Sequence, residues 1–243
     1  MAVLQVHDVS RPVRELTAEI GGQFVLLLAL WAAVGLGPAG WLAGTVYALV
    51  VWALLTTAVD RARIRSFGPA NRVTLARATL VGGVTALVAD SVHRPVPGTV
   101  LIVLATVALV LDAVDGQIAR RTGTATPLGA RFDMEVDAFL ILMLSAHVAG
   151  RLGWWVLVIG LMRYVFVAAA QAWPWLRAPL PPNLARKTVA ATQGVALVVA
   201  GTPAVPLAPA AVTAALALLL LGWSFGRDVR WLWRAGQDRR IMV

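Results

Sequence analysis

Apolar residues in this chain come in long blocks, separated by short polar or proline-rich breaks. The blocks fall at about 22–37, 40–59, 70–90, 97–119, 129–150, 153–172, 187–201 and 207–225. A helix needs about 20 apolar residues to cross roughly 30 Å of hydrocarbon, so each block predicts a membrane-spanning helix. The fold class expected is therefore all-α, a polytopic transmembrane helix bundle. A Gly-Pro-Ala-Gly run at 37–40 predicts the turn between the first two spans. Pro174, Pro179, Pro181 and Pro182 lie in a loop predicted at 173–186, where they stop one helix before the next begins. Residues 1–21 are polar and mixed and include Arg11 and Arg14, so the first block could be mistaken for a signal peptide. A second block follows at once with no convincing cleavage site between them, which favours a retained hairpin. A short amphipathic stretch runs from Asp60 to about Pro69, and no internal repeat stands out.

Composition agrees with a membrane protein. The chain has 243 residues, 59% of them hydrophobic, a mean hydropathy of +0.78 and only 14% charged residues. Soluble domains average about a quarter charged. The net charge of +9 would point to nucleic acid in a soluble protein. Here the basic residues sit between apolar blocks, so no nucleic-acid partner is expected. With the N-terminus inside, the inner side receives Arg11, Arg14, Arg61, Arg63, Arg65, Arg120, Arg121, Arg131, Arg177, Arg186, Lys187 and the basic tail. The outer side receives only Arg94 and Arg151. That asymmetry predicts a multi-pass protein of the cell membrane with both termini cytoplasmic. Trp41, Trp154, Trp173, Trp175, Trp223 and Trp231 lie near span ends and read as an interfacial belt. The tail from 227, with Trp231 and Trp233 among arginines, reads as a surface helix on anionic lipid. Cysteine is absent, which excludes disulfides and thiolate chemistry. His7, His93 and His147 are too scattered to form a metal site.

One stretch breaks the apolar pattern with chemistry. Residues 112–137 hold five of the 12 acidic residues, yet both ends run directly into apolar sequence. Asp112 lies about 22 Å along its span from position 97, and Asp137 about 12 Å into the next from position 129. Asp112 and Asp115 are spaced i,i+3, and Asp133 and Asp137 i,i+4, so each pair shares a helix face. Two adjacent antiparallel helices would bring all four carboxylates together in the cytoplasmic half of the bilayer. Carboxylates so placed repel one another and resist burial in lipid. A divalent cation, or a pair, would offset both effects, and an all-oxygen set favours Mg²⁺, Mn²⁺ or Ca²⁺ over zinc. The bland alternative pairs these aspartates with Arg120, Arg121 and Arg131 at a solvated helix end. Gly116 and Gly129 would let a ligand approach closely, Arg120 could meet a phosphate, and Glu135 lies off the acidic stripe.

Asp112, Asp115, Gly116, Ala119, Arg120, Gly129, Asp133 and Asp137 spell D-x2-D-G-x2-A-R-x8-G-x3-D-x3-D. That pattern resembles the signature of the CDP-alcohol phosphotransferase family at every fixed position. The resemblance covers about 61–226 and implies a catalytic core of six transmembrane helices. Residues 1–60 then form an N-terminal segment and extra hairpin, and 227–243 a basic cytoplasmic tail. By the family pattern, Asp112, Asp115 and Asp133 would ligate a pair of divalent metals, Mg²⁺ or Mn²⁺, with Asp137 at the same site as general base. Gly116, Ala119, Arg120 and Gly129 would line the cytidine diphosphate site. Asn71, Thr74 and Arg77 stand in a second family pattern, N-x-x-T-x-x-R, which adds Asn71 and Thr74 to the nucleotide site.

The resemblance implies transfer of a phosphatidyl or related group from a CDP-alcohol to an acceptor hydroxyl, with release of CMP, in phospholipid biosynthesis. CDP-diacylglycerol is the expected donor and a small polar alcohol the acceptor, with glycerol phosphate or inositol phosphate favoured. Arg163, Lys187 and Arg77 are the residues expected to meet the acceptor's phosphate. Arg163 interrupts its span, where an unpaired arginine is costly. The alternatives are that Arg163 pairs with an aspartate and that Lys187 anchors its helix at the interface. Family members are often dimers, so the resemblance allows a homodimer, and the sequence leaves the oligomeric state open. The non-enzymatic rivals are a divalent-cation transporter or channel, because intramembrane aspartates also mark ion paths, and a catalytically silent scaffold.

Overall fold

A computed structural model of the protein describes residues 10–62, 69–122, 127–178 and 184–241. Among these residues there are eight α-helices and no strand. They are α1 (Ser10–Val34), α2 (Pro38–Ala62), α3 (Pro69–Ser91), α4 (Gly98–Thr122), α5 (Pro127–Leu152), α6 (Leu157–Ala172), α7 (Leu184–Gly201) and α8 (Leu207–Ile241). Short 3-10 turns at Trp154–Val156 and Pro174–Arg177 flank α6. Helices α2, α3 and α5 each open on a proline, whose fixed φ suits the first helical position and whose missing N–H is not needed there. This moves the first turn: Pro38 starts α2, and the chain reverses at Gly35–Gly37 instead of 37–40. Gly35 takes a φ of +67°, and its N–H closes on the Trp31 carbonyl at 2.8 Å, a glycine-capped helix end.

Among the described residues, four helical stretches are long and apolar enough to cross a membrane: Pro38–Ala58, Val73–Ser91, Trp154–Ala172 and Leu207–Ala235. Shorter apolar stretches occur at Glu19–Val34, Gly98–Val114 and Thr188–Gly201. The predicted spans from 70 onward correspond to α3–α8 with small shifts at their ends. Two ends differ more. Helix α1 begins at Ser10, within the sequence read as polar lead-in, and its Glu19 and Gln23 are buried. Helix α8 runs unbroken to Ile241, so the basic tail continues the last span and is not a separate surface helix. Most of the amphipathic stretch expected at 61–69 lies outside the described residues.

The chain divides into two compact units, Met1–Asp137 and Ala138–Val243. In the first, α3 is the middle helix, packed against α1, α2 and α4. Residues 81–88 of α3 are all buried. Helices in a membrane gain little from burying apolar surface, so close association depends on small residues. A Cβ added to Gly82 would lie 2.3 Å from the Gln23 amide oxygen, and one added to Gly40 would lie 2.9 Å from the Ala86 carbonyl. The far end of this unit is tied by charge. Asp90 accepts from the Gly37 N–H at 3.0 Å and from Arg94, which also donates to the Gly35 carbonyl. At the near end Val51 and Leu55 of α2 and Leu75 of α3 form a cluster with Tyr47 and Phe132.

In the second unit α7 packs on α8. The Arg151 guanidinium donates to the carbonyls of Ala200, Thr202 and Val205 at 2.9, 2.9 and 3.0 Å, tying the end of α5 to the end of α7 and the turn that follows it. Gln193 of α7 donates to the Ala217 carbonyl of α8 at 3.2 Å. Arg186 approaches Asp228 at 3.6 Å, and Arg227 lies 5.0 Å from the ring centre of Trp223.

Candidate active site

Three helices of the first unit contribute to one polar cluster. Asp112 comes from the C-terminal part of α4, Asp133 and Asp137 from the N-terminal part of α5, and Arg77 from the N-terminal part of α3. The ends used are start, finish and start, as expected where consecutive helices alternate in direction. The four-residue spacing within α5 turns Asp133 and Asp137 to one face. One carboxylate oxygen from each of Asp112, Asp133 and Asp137 lies within 4.8 Å of the others.

Arg77 meets all three. One guanidinium nitrogen donates to the Asp112 carboxylate, and the other donates to the Asp133 carboxylate and, at 3.2 Å, to the Asp133 backbone carbonyl. The second nitrogen also lies 3.2 Å from Asp137 Oδ1. The Arg77 side chain is 0% exposed, while those of Asp112, Asp133 and Asp137 are 37%, 33% and 39% exposed. The arginine therefore backs the cluster from within, and the carboxylates keep an open side. Arg77, which the sequence pattern assigns to the acceptor's phosphate, is wholly buried against the aspartates. The partner of these carboxylates was missed because local sequence offers Arg120, Arg121 and Arg131, whereas Arg77 precedes Asp112 by 35 positions. Among the described side chains Arg131 is exposed.

Thr74 is buried one turn before Arg77, and Gly129 is half-buried in the first turn of α5. Asp115, Gly116, Ala119 and Arg120 fall on the last turns of α4, but their side chains lie outside those described, as do those of Asn71 and Lys187. Arg163 is half-buried on α6 in the second unit.

The cluster fits a hard divalent cation. Its donors are carboxylate oxygens alone, which suits Mg²⁺, Mn²⁺ or Ca²⁺. Its charge also leaves room for one: three carboxylates against one guanidinium give a balance of −2 among these side chains if all are ionised.

Comparison with known proteins gives the cluster a context. Residues 67–225 match the CDP-alcohol phosphatidyltransferase family. The chain belongs to this family. Every residue of the Arg77–aspartate cluster lies within the matched segment, whereas α1 and α2 precede it. Two curated relatives, each named "Probable phosphatidylglycerophosphate synthase" and each from a strain of Mycobacterium tuberculosis, are 31% identical over 188 residues. The alignment covers 76% of this chain and 90% of theirs. No solved structure matches. As a CDP-alcohol phosphatidyltransferase with several apolar helices, the chain is a multi-pass membrane transferase of phospholipid biosynthesis.

Proposed function

We propose that this transferase moves a phosphatidyl group from CDP-diacylglycerol to the hydroxyl of glycerol phosphate, releasing CMP. The observation that carries the reading is the convergence of Asp112, Asp133 and Asp137 from two helices, at the spacing of the family signature. The name of the Mycobacterium tuberculosis relatives supports glycerol phosphate over other acceptors. Arg163 and Lys187 are proposed to meet the acceptor's phosphate, and Asn71, Thr74, Gly116, Ala119, Arg120 and Gly129 to hold the cytidine diphosphate. The charge asymmetry of the loops supports cytoplasmic termini and a site facing the cytoplasm, where water-soluble CMP can leave.

Asp137 acts as the general base. Its carboxylate takes the proton of the acceptor hydroxyl, for which it must lie within hydrogen-bond reach of that oxygen. The acceptor oxygen then bonds to the lipid-side phosphorus of the diphosphate, the bond from that phosphorus to the bridging oxygen breaks, and CMP departs. Asp112, Asp115 and Asp133, with Asp137 beside them, would hold the metal, one or two Mg²⁺ or Mn²⁺ ions. Bound there, the ions supply charge stabilisation for the diphosphate and the leaving phosphate.

The test offers CDP-diacylglycerol to the purified protein in Mg²⁺ or Mn²⁺ with glycerol phosphate, inositol phosphate and unphosphorylated polyols, and follows CMP and lipid product by mass. CMP and a phosphatidylglycerol phosphate in equal amounts are expected. A product from another acceptor would correct the acceptor. No CMP release with any acceptor, and no binding of a CDP-alcohol, would remove the proposed activity.

A further inference from the structure

We propose that Arg77 is a positioning residue that holds the metal-binding carboxylates from behind, and that it touches neither substrate nor metal. The inference rests on the proposed metal reading of the Asp112–Asp133–Asp137 cluster and concerns how that cluster is kept ready.

Burial separates two roles that the residue type alone leaves open. An arginine that binds a substrate phosphate must present its guanidinium to the space the substrate enters. The Arg77 side chain is 0% exposed, and both terminal nitrogens are directed at aspartate oxygens. The aspartates carry the opening instead, each about a third exposed. Asp137 shows the division at the level of atoms. Its Oδ1 is buried and lies 3.2 Å from Arg77 Nη2, so the exposure of this side chain belongs to its other atoms. One face of the cluster is thus engaged by the guanidinium, while each carboxylate keeps about a third of its side chain exposed. A carboxylate has two oxygens and about four lone-pair sites, so a bond to Arg77 does not prevent the same group from ligating a cation.

The rigid planar fork matters as much as the charge. A guanidinium presents its donors in fixed directions and reaches Asp112 and Asp133 through different nitrogens, which sets the separation of α4 and α5 at the site. The Asp133 backbone carbonyl, also bonded to Arg77 at 3.2 Å, fixes the start of α5 as well as its side chain. A lysine would supply charge without that geometry. The arginine also offsets one of the three negative charges, easing repulsion among carboxylates that must stand close together before any cation arrives. Partners of this kind, bonded to the ligands and not to the ion, usually change metal affinity about 10–100-fold when removed.

The opposite arrangement is also well defined. If Arg77 occupied the position of a cation, entering metal would have to displace it, and removing it would tighten metal binding. If Arg77 bound the acceptor's phosphate, its loss would raise the KM for acceptor and leave metal affinity unchanged.

Mn²⁺ binding to the purified protein, read from the electron paramagnetic resonance signal of free Mn²⁺, separates the three. Arg77→Met is expected to weaken Mn²⁺ binding about 10–100-fold. Arg77→Lys should fall between that variant and the wild type, and saturating Mn²⁺ should restore much of the CMP release in both. Equal or tighter Mn²⁺ binding by either folded variant overturns the proposal. Should Arg77→Met fail to fold, by circular dichroism and gel filtration, Arg77→Lys decides on the same scale. A wild-type protein that binds no Mn²⁺ would instead remove the metal reading on which the proposal rests, a result distinct from unchanged affinity in the variants.

Discussion

Helices α3 and α6 look alike as sequences. Each lies in a 19-residue apolar span, Val73–Ser91 for α3 and Trp154–Ala172 for α6 with the 3-10 turn before it, and each span holds one arginine. Their surroundings are opposite: 72% of the α3 span is buried within the protein, against 17% of the α6 span. Hydropathy does not separate these cases, because lipid tails are as apolar as leucine side chains. Position in the fold does. Helix α3 lies among α1, α2 and α4, with Gly82 and Gly83 close against α1, while α6 comes close to α5 at Gly160 but turns Val158, Leu161, Val165 and Val167 outward. The arginines follow their helices. Arg77 is enclosed with three aspartates, whereas Arg163 is half-buried on a helix that mostly faces away from the protein. A buried span around a buried charge thus sets apart the helix proposed to support the chemistry.

The largest expected effect removes what α3 is proposed to support. Asp137→Asn should lower CMP release by at least about 10²-fold while the protein stays folded, the usual scale for losing a general base. Val165→Ala, on the exposed face of α6, should leave the rate unchanged. Equal losses in both variants would break the contrast between the helices. Chelation should act on the same scale, with EDTA stopping CMP release and added Mg²⁺ or Mn²⁺ restoring it.

A smaller effect is expected from packing. Gly82→Ala would set a methyl group 2.3 Å from the Gln23 side chain, and overpacking of this kind costs about 1–3 kcal/mol. Unfolding in detergent should show it, and adding Gln23→Ala should recover part of the loss, because neighbouring substitutions couple. Asp90→Ala should cost about 1–2 kcal/mol, since it leaves the Gly37 N–H and Arg94 without their shared acceptor. The smallest effect belongs to α6: Ala168→Leu, at an exposed position, should change stability by less than about 0.5 kcal/mol.

Much of this architecture could be read from residue order. Apolar blocks separated by proline and charge located α3–α8, and the four-residue spacing of Asp133 and Asp137 placed that pair on one helix face. Two kinds of feature escaped. Helix ends did, because hydrogen bonding along a helix continues past the point where hydropathy falls. The polar first turns of α1 and the arginine-rich end of α8 are both helical, and arginine and leucine are good helix formers. Long-range polar pairing escaped as well. Spacing rules join residues within a helix and cannot join Arg77 to Asp112 and Asp133, which lie 35 and 56 positions away. The same limit hid the role of α1 and α2. They precede the segment shared with the family, yet α1 packs on α3 through Gln23 and Gly82, and α2 joins Leu75 and Phe132 beside the aspartates.

The aspartate cluster is proposed to be a metal-dependent catalytic site. Its most direct measurement is CMP release from CDP-diacylglycerol and glycerol phosphate, titrated with Mg²⁺, for the wild type and Asp137→Asn side by side. Metal-dependent release is expected from the wild type, and almost none from a folded Asp137→Asn at any Mg²⁺ concentration. Release that is indifferent to metal, or undiminished in the variant, would contradict it.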